Sequence, residues 1–398
     1  MATETIQREA DRRGKERRKV VWAVALGVVV AVLAAHWGTA GLRWSVQYHP
    51  DESLIARWID DVRASGYVTN RAYPGGWFEL FKVRFWLEDR AAKAESRWTR
   101  HAEQNGRVDA LKLSSYIQKP PGPRERHTIQ DGRDFNAWLY VGAAVLVYAA
   151  CLEAGLHPLG AFVSALFFEG MAGPVEFAHY CETDEGLVFS LAFFAWLGAR
   201  TLRKRTWWLV LASGFAAGFA VACKFTLVPL LLWAPGGCWV VAGRAGGGRG
   251  RRWGVWGLLV AGFLAMAAWG YVEGTPALRM APEWYQGSLR RMSRYTYGEI
   301  RRNLGWEYSW QAASVVRAGS MVRLLRGWGV PTLGWAVFSW AFWFRKRFRG
   351  QAAGLPALVP AFFPFFVFAC PFVRSQELLP LSVMFALGAG LPAEWLRE

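Results

Sequence analysis

Four short strings carry the residues best suited to chemistry. The first is Tyr48-His49-Pro50-Asp51-Glu52, a turn-setting proline followed by two adjacent carboxylates. Pro50 pre-sets a turn, so Asp51 can cap a helix that Glu52 begins, and the pair reads equally as a structural cap or as a general base facing a reactant. The second is AHYCETDEG at 178–186, which gathers His179, Glu182, Asp184 and Glu185 in a few residues. Carboxylate and imidazole together can hold a divalent cation. The same string also reads as plain turn chemistry, with Asp184 capping the helix that follows. The third is Lys224 in ACKFT, which either snorkels toward a membrane surface or meets a phosphate there. The fourth is an arginine series, Arg279, Arg290, Arg291, Arg294, Arg301, Arg302, Arg317, Arg323 and Arg326, without an intervening lysine. Guanidinium forks suit phosphate oxygens, and a solvated helical face is the plainer reading.

The elements that position these strings follow from the distribution of apolar residues. The chain has 398 residues, 53% hydrophobic and 19% charged, with a net charge of +17. Disorder is excluded by that composition. The apolar residues fall in blocks with charges between them, which reads as an all-α polytopic membrane protein. Spans are expected near 20–40, 136–153, 156–173, 186–200, 207–223, 226–242, 253–271, 328–344, 355–373 and 378–393. The organisation is then a basic cytoplasmic tail at 1–19, a first transmembrane helix at 20–40, and an outer loop at 41–135. Transmembrane helices two to seven follow at 136–271, an Arg-rich outer loop at 272–327, and helices eight to ten at 328–398. The first span reads as uncleaved, because its apolar core is longer than that of a signal peptide.

Charge tests this count. With the N-terminus inside, RTLRKRT at 200–206, GRAGGGRGRR at 243–252 and RKRFRGQ at 345–351 also fall inside, as the positive-inside rule requires. Those loops account for most of the excess charge, so nucleic-acid binding is not needed to explain it. Every chemically equipped string then falls on the outer side. Within the first outer loop, residues 77–104 mix aromatics and charges at helical spacing. Trp77, Leu80, Phe81, Arg84, Phe85 and Glu88 predict an interfacial helix with its apolar stripe against the membrane. KPPGPRER at 119–126 breaks any helix before the second span. The five cysteines are too dispersed for a zinc or disulfide framework. No G-x-S-x-G or H-E-x-x-H string suggests a hydrolase.

In this order and on one side, the strings resemble the GT-C fold membrane glycosyltransferases, and most closely the protein O-mannosyltransferase and aminoarabinose transferase-like family. The resemblance rests on His49-Pro50-Asp51-Glu52 after the first span, Tyr73-Pro74, Arg133 before the second span, and His179, Tyr180 and Asp184 after the third. It continues through Ala222, Lys224, Phe225 and Thr226, and more loosely through Arg374, Leu379 and Pro380, where Gln376 and Glu377 depart from the pattern. It is good over about 20–230 and weaker beyond. It implies a GT-C-like helical bundle that moves a sugar from a polyprenyl-phosphate donor to a hydroxyl of a protein, lipid or glycan on the periplasmic side of a bacterial inner membrane. It assigns Asp51 as base with Glu52 beside it, His179 and Asp184 to the acceptor or metal side, and Lys224, Arg374 and Arg133 to the donor phosphate. A divalent metal ion on Asp51 and Asp184 is the one cofactor it suggests. A chain ending soon after its tenth span suggests the alternative, a catalytically silent GT-C-like subunit or scaffold that works with partner subunits in a larger membrane complex. A transporter would show internal repeats or charges near mid-span. Here the charges collect at span ends.

Overall fold

The computed structural model describes residues 2–39, 52–65, 75–87, 90, 124–244, 248–287, 289–290 and 379–392. Asp51, His49, Tyr73, Pro74, Arg374 and most of the arginine series lie outside these residues. So do the spans expected at 328–344 and 355–373.

Every element among the described residues is helical; the span expected at 156–173 is divided between two helices, and that at 226–242 between a 3₁₀ segment and a helix. The order is α1 (Ala2–Thr39), α2 (Glu52–Ser65), α3 (76–87), α4 (Arg124–Glu153), α5 (Pro158–Glu169), α6 (Ala172–Ala178), α7 (Asp184–Lys204) and α8 (Trp207–Cys223). A 3₁₀ segment at Phe225–Leu232 leads into α9 (Trp233–Ala242), α10 (Arg249–Glu273), α11 (Pro276–Met280), a short helix α12 (282–287) and α13 (Leu379–Ala389). Among the described residues, four segments are long and apolar enough to cross a membrane: Glu16–Thr39, Thr128–Glu153, Asp184–Lys204 and Arg249–Glu273. The chain is an integral membrane protein.

Burial sorts these four. The apolar windows of α4 and α7 are 61% and 67% buried by protein, whereas those of α1 and α10 are 11% and 17% buried. α4 and α7 therefore form the centre, and α1 and α10 turn bare valine, leucine and tryptophan outward, as lipid contact requires. α1 runs antiparallel to α4: Tyr148 donates to the Ala23 carbonyl at 2.9 Å, and Gly38 lies under Tyr140. α8 lies against α10 at backbone contact, where a Cβ on Gly218 would sit 1.7 Å from the Ala267 carbonyl oxygen. Small residues at such crossings let backbones approach.

The structure changes two of the expectations. The span read at 226–242 is not one α-helix, because Pro229 falls inside it and lacks the N–H an α-helix needs. The chain winds as a 3₁₀ turn and becomes α-helical only at Trp233. The stripe of α3 likewise faces protein rather than the membrane plane. Trp77, Phe78 and Phe81 are buried against Trp58, Ile59 and Leu139, and the opposite face bares Val83, Trp86 and Leu87. Two aromatic helix faces meeting each other bury more area than one face lying on lipid, and they hold α2, α3 and α4 together.

The two basic loops that fall among the described residues share one end of the bundle. Arg200 and Arg203 reach Glu153 at 2.8 and 3.2 Å, and Arg244 donates to the Lys204 carbonyl at 2.6 Å. The turns α4–α5, α7–α8 and α9–α10 therefore lie together, with the start of α1 beside them. The acid-bearing strings sit at the other end.

Candidate functional site

α2 begins at Glu52, as the Pro-Asp-Glu string predicts. Its carboxylate is fully buried. Arg133, on the first turns of α4, donates from Nε to Oε1 at 2.8 Å and from Nη2 to Oε2 at 2.7 Å. This is the parallel fork-to-carboxylate pairing that gives arginine its geometric specificity. The peptide N–H of Cys181 also donates to Oε1, at 3.0 Å. Glu52 thus ties α2 both to α4 and to the turn between α6 and α7.

Asn136 fixes the same turn from one helical turn further along α4. Its amide donates to the carbonyls of Tyr180 at 2.7 Å and Glu182 at 2.6 Å, while its oxygen accepts from Trp77 Nε1 at 2.8 Å. A buried turn carries carbonyls that no ladder can satisfy, and one amide side chain satisfies two of them. Burial, reinforced by the charges of Glu52 and Glu182, pushes the Cys181 thiol well above its usual range.

The turn delivers Asp184. Thr183 takes the N-cap position and Asp184 opens α7, so the expected cap by Asp184 is displaced by one residue. Its carboxylate is buried and accepts from Lys224 Nζ. Lys224 stands where α8 ends, in extended backbone (φ −160°, ψ 134°) between α8 and the 3₁₀ segment. The tip of α3 closes in beside it: a Cβ on Gly76 would lie 2.7 Å from Cys223 Sγ, and one on Gly75 2.9 Å from the Gly274 carbonyl oxygen. The glycines of the Pro-Gly-Gly string permit that approach.

Of the residues expected at the site, the structure brings together Glu52, Arg133, Asp184 and Lys224 around the 181–184 turn. The described contact of His179 is local: its Nδ1 lies 2.6 Å from the Val175 carbonyl at the end of α6. Arg133 meets Glu52 rather than open space. Asp51 and Arg374 lie outside the described residues. Among the described residues no three His, Cys, Asp or Glu groups gather as a metal ion needs, and the Asp184 carboxylate is engaged by Lys224. The metal ion expected on Asp51 and Asp184 involves Asp51, which lies outside the described residues.

Several residues that build the site escaped sequence reading. Asn136 and Trp77 are two. Asp131 is a third, accepting from Arg84 Nη2 at 3.0 Å and lying 3.6 Å from Arg63 Nη2, which clamps α2, α3 and α4. Glu185, which the acidic string did include, is fully buried, and its carboxylate oxygens find no donor among the described residues. Only the charge of Arg84 and Asp131 in apolar surroundings hinted at such partners.

Comparison with known proteins bears on residues 119–274, which match the family model of dolichyl-phosphate-mannose-protein mannosyltransferases. Among solved structures, the S. cerevisiae protein O-mannosyltransferase Pmt1-Pmt2 complex bound to the sugar donor is similar, at 18% identity and a TM-score of 0.45. The likeness covers 65% of this chain and 33% of that one, so the chain spans about a third of that relative's length. No curated protein matches in sequence. The matched stretch holds Arg133, Asn136, Asp184 and Lys224, and over it the chain is similar to the protein O-mannosyltransferases that its motifs resemble.

Proposed function

We propose that this chain is a membrane glycosyltransferase that moves a sugar from a polyprenyl-phosphate donor to an acceptor hydroxyl. The supporting observation is the convergence of four segments distant in sequence, at Glu52, Arg133, 181–184 and Lys224, on one end of the bundle. That end is opposite the basic turns. With those turns in the cytoplasm, as the positive-inside rule favours, the reaction faces the periplasm of a bacterial inner membrane.

The chemistry is a displacement at the anomeric carbon. Asp51, the residue before the anchored Glu52, takes the proton of the acceptor hydroxyl as its oxygen attacks. The bond from the anomeric carbon to the phosphate oxygen breaks, and the lipid phosphate leaves with the electron pair. Lys224 neutralises the charge gathering on that phosphate, with Arg374 as a second cation. Arg133 acts through Glu52: by locking that carboxylate it sets the direction in which α2 starts. His179 and Asp184 flank the acceptor side, where a protein, lipid or glycan hydroxyl enters.

The test uses the purified full chain in lipid nanodiscs with a polyprenyl-phosphate-linked sugar and a hydroxyl acceptor. Wild type transfers sugar, and Asp51→Asn lowers turnover by about 10²–10⁴-fold with unchanged thermal unfolding. Transfer by D51N at the wild-type rate refutes the assignment. The silent-subunit reading draws on one observation, that Lys224 and Arg133 each already hold a carboxylate. Wild type that transfers nothing alone, and only in the presence of co-purified subunits, favours it.

A further inference from the structure

The end of the bundle remote from the proposed reaction carries an unbalanced charge. From Glu16 onward the described carboxylates at this end are both taken: Glu153 by Arg200 and Arg203, and Glu16 by Lys19 at 3.6 Å. Arg205, Arg249, Arg251 and Arg252 have no carboxylate partner among the described residues.

One part of this end is built rather than merely basic. Arg249, Arg252, Trp253 and Trp256 recur at helical spacing on the first turns of α10 and so share a face. That face meets Trp239 of α9, whose ring lies 4.7 Å from Trp253 and 6.4 Å from Trp256 between centroids. The Arg252 guanidinium sits 4.0 Å above the Trp239 ring. Stacking of this kind holds the fork in one orientation, and the Arg252 Nε is buried with no hydrogen-bond acceptor among the described residues. Trp256 is pinned by its own N–H, which donates to the Pro235 carbonyl at 2.9 Å. Around the patch the surface is open: a Cβ on Gly248, Gly250 or Gly254 meets nothing within 4 Å. Trp253 remains 50% exposed, with Trp207 and Trp208 of α8 also bare. Indole rings at this level mark the headgroup region of a bilayer.

We propose that this corner of α9 and α10 is a binding site for the phosphate headgroup of an anionic phospholipid, held by Arg249 and Arg252 against the Trp239–Trp253 platform. The fixed fork supplies the donors, the aromatic rings receive the glycerol and upper acyl region, and no carboxylate described beside Arg249 and Arg252 repels a phosphate. A zwitterionic headgroup offers the same phosphate but brings its own cation, which the arginines repel. The site therefore discriminates by net headgroup charge. It stands independently of the sugar-transfer reading, since its residues lie at the opposite end of the bundle.

The experiment is native mass spectrometry of the full chain released from detergent with phosphatidylglycerol or phosphatidylcholine of matched acyl chains. Wild type retains phosphatidylglycerol preferentially. At roughly fivefold per arginine near a membrane surface, R249Q loses about fivefold of that preference and R249Q/R252Q about 30-fold. R17Q/R18Q, at the start of α1 on the same end, keeps the wild-type preference. R249Q leaves the Arg252–Trp239 stack untouched, so it remains informative if the double variant folds poorly. Equal retention of the two lipids by wild type overturns the proposal. An equal loss in R17Q/R18Q overturns it too, because the effect is then general basicity, and so does displacement of the lipid by millimolar inorganic phosphate.

Discussion

The pair between Glu52 and Arg133 can be broken in ways that separate its physics from simple charge counting. Glu52 is fully buried and Arg133 is 2% exposed, so neither group has water to fall back on. In Glu52→Gln the amide keeps one oxygen where three donors converge: Arg133 Nε, Arg133 Nη2 and the Cys181 N–H. Its NH₂ group faces a donor. Arg133 stays charged and loses the Glu52 carboxylate, and removing one partner of a buried pair costs about 3–5 kcal/mol. Arg133→Met strands the carboxylate instead and falls in the same range. The double variant Glu52→Leu/Arg133→Met removes both charges and refills the volume. It leaves the Cys181 N–H without an acceptor, a loss of about 1–3 kcal/mol, against which the relief of desolvation works in the opposite direction. The double variant is therefore more stable than either single variant. Equilibrium denaturant titration in mixed micelles, read as a double-mutant cycle, measures this. A single variant within about 1 kcal/mol of wild type refutes the reasoning, and so does a double variant whose losses add.

Other expected outcomes test neighbouring links. Gly218→Val drives a side chain into the Ala267 carbonyl and costs about 1–3 kcal/mol or more, whereas Gly257→Val on the open face of α10 is near neutral in the same titration. Cys181 resists maleimide in the folded protein and reacts once unfolded, because its thiol is buried and its pKa raised. With the folded value above the unfolded one near 9.0, its contribution to stability is full below about pH 9 and is lost as pH rises through the folded value. A stability that holds level well into alkaline solution contradicts that. Lys224→Met lowers sugar transfer by about 10²–10³-fold, the scale of losing one preorganised charge donor. Asp184→Asn/Lys224→Met recovers stability without recovering transfer, and recovery of both would remove Lys224 from the reaction.

The helical class was legible because lipid imposes a simple condition, long apolar runs with charge between them, on every crossing segment. α8 falls at 207–223 as read, and α10 covers 253–271. Pro229 was legible too, as a residue that cannot sit inside an α-helix, yet a window of apolar residues averaged it away. α3 shows a different failure. Periodicity says that Trp77 and Phe81 share a face, but whether that face meets lipid or protein depends on whether α2 and α4 arrive beside it. Nothing in residues 77–104 encodes the arrival of residues 52–65. Glu52 and Arg133 lie 81 positions apart, and Asn136 and Glu182 lie 46 apart, so their pairing belongs to the topology and not to either string.

That topology explains why Glu52 and Asn136 matter more than their ordinariness in the sequence suggests. The turn at 179–183 has no strand or long helix to hold it, and its carbonyls lie among buried side chains. Left alone, it would change conformation at little cost. Glu52 takes the Cys181 N–H while Asn136 takes the carbonyls on either side of that residue, so successive peptide units are held from two different helices. A turn fixed at both edges leaves the first residue of α7 almost no freedom. The Asp184 carboxylate is therefore set relative to the start of α2 by chains of short hydrogen bonds, with Lys224 drawn onto it from the broken end of α8. A group acting on a displaced phosphate gains from such fixity, because a misplacement of about 1 Å can cost a hundredfold in rate. Polar groups buried at this end thus serve position first, and whatever reactivity resides here depends on that scaffold.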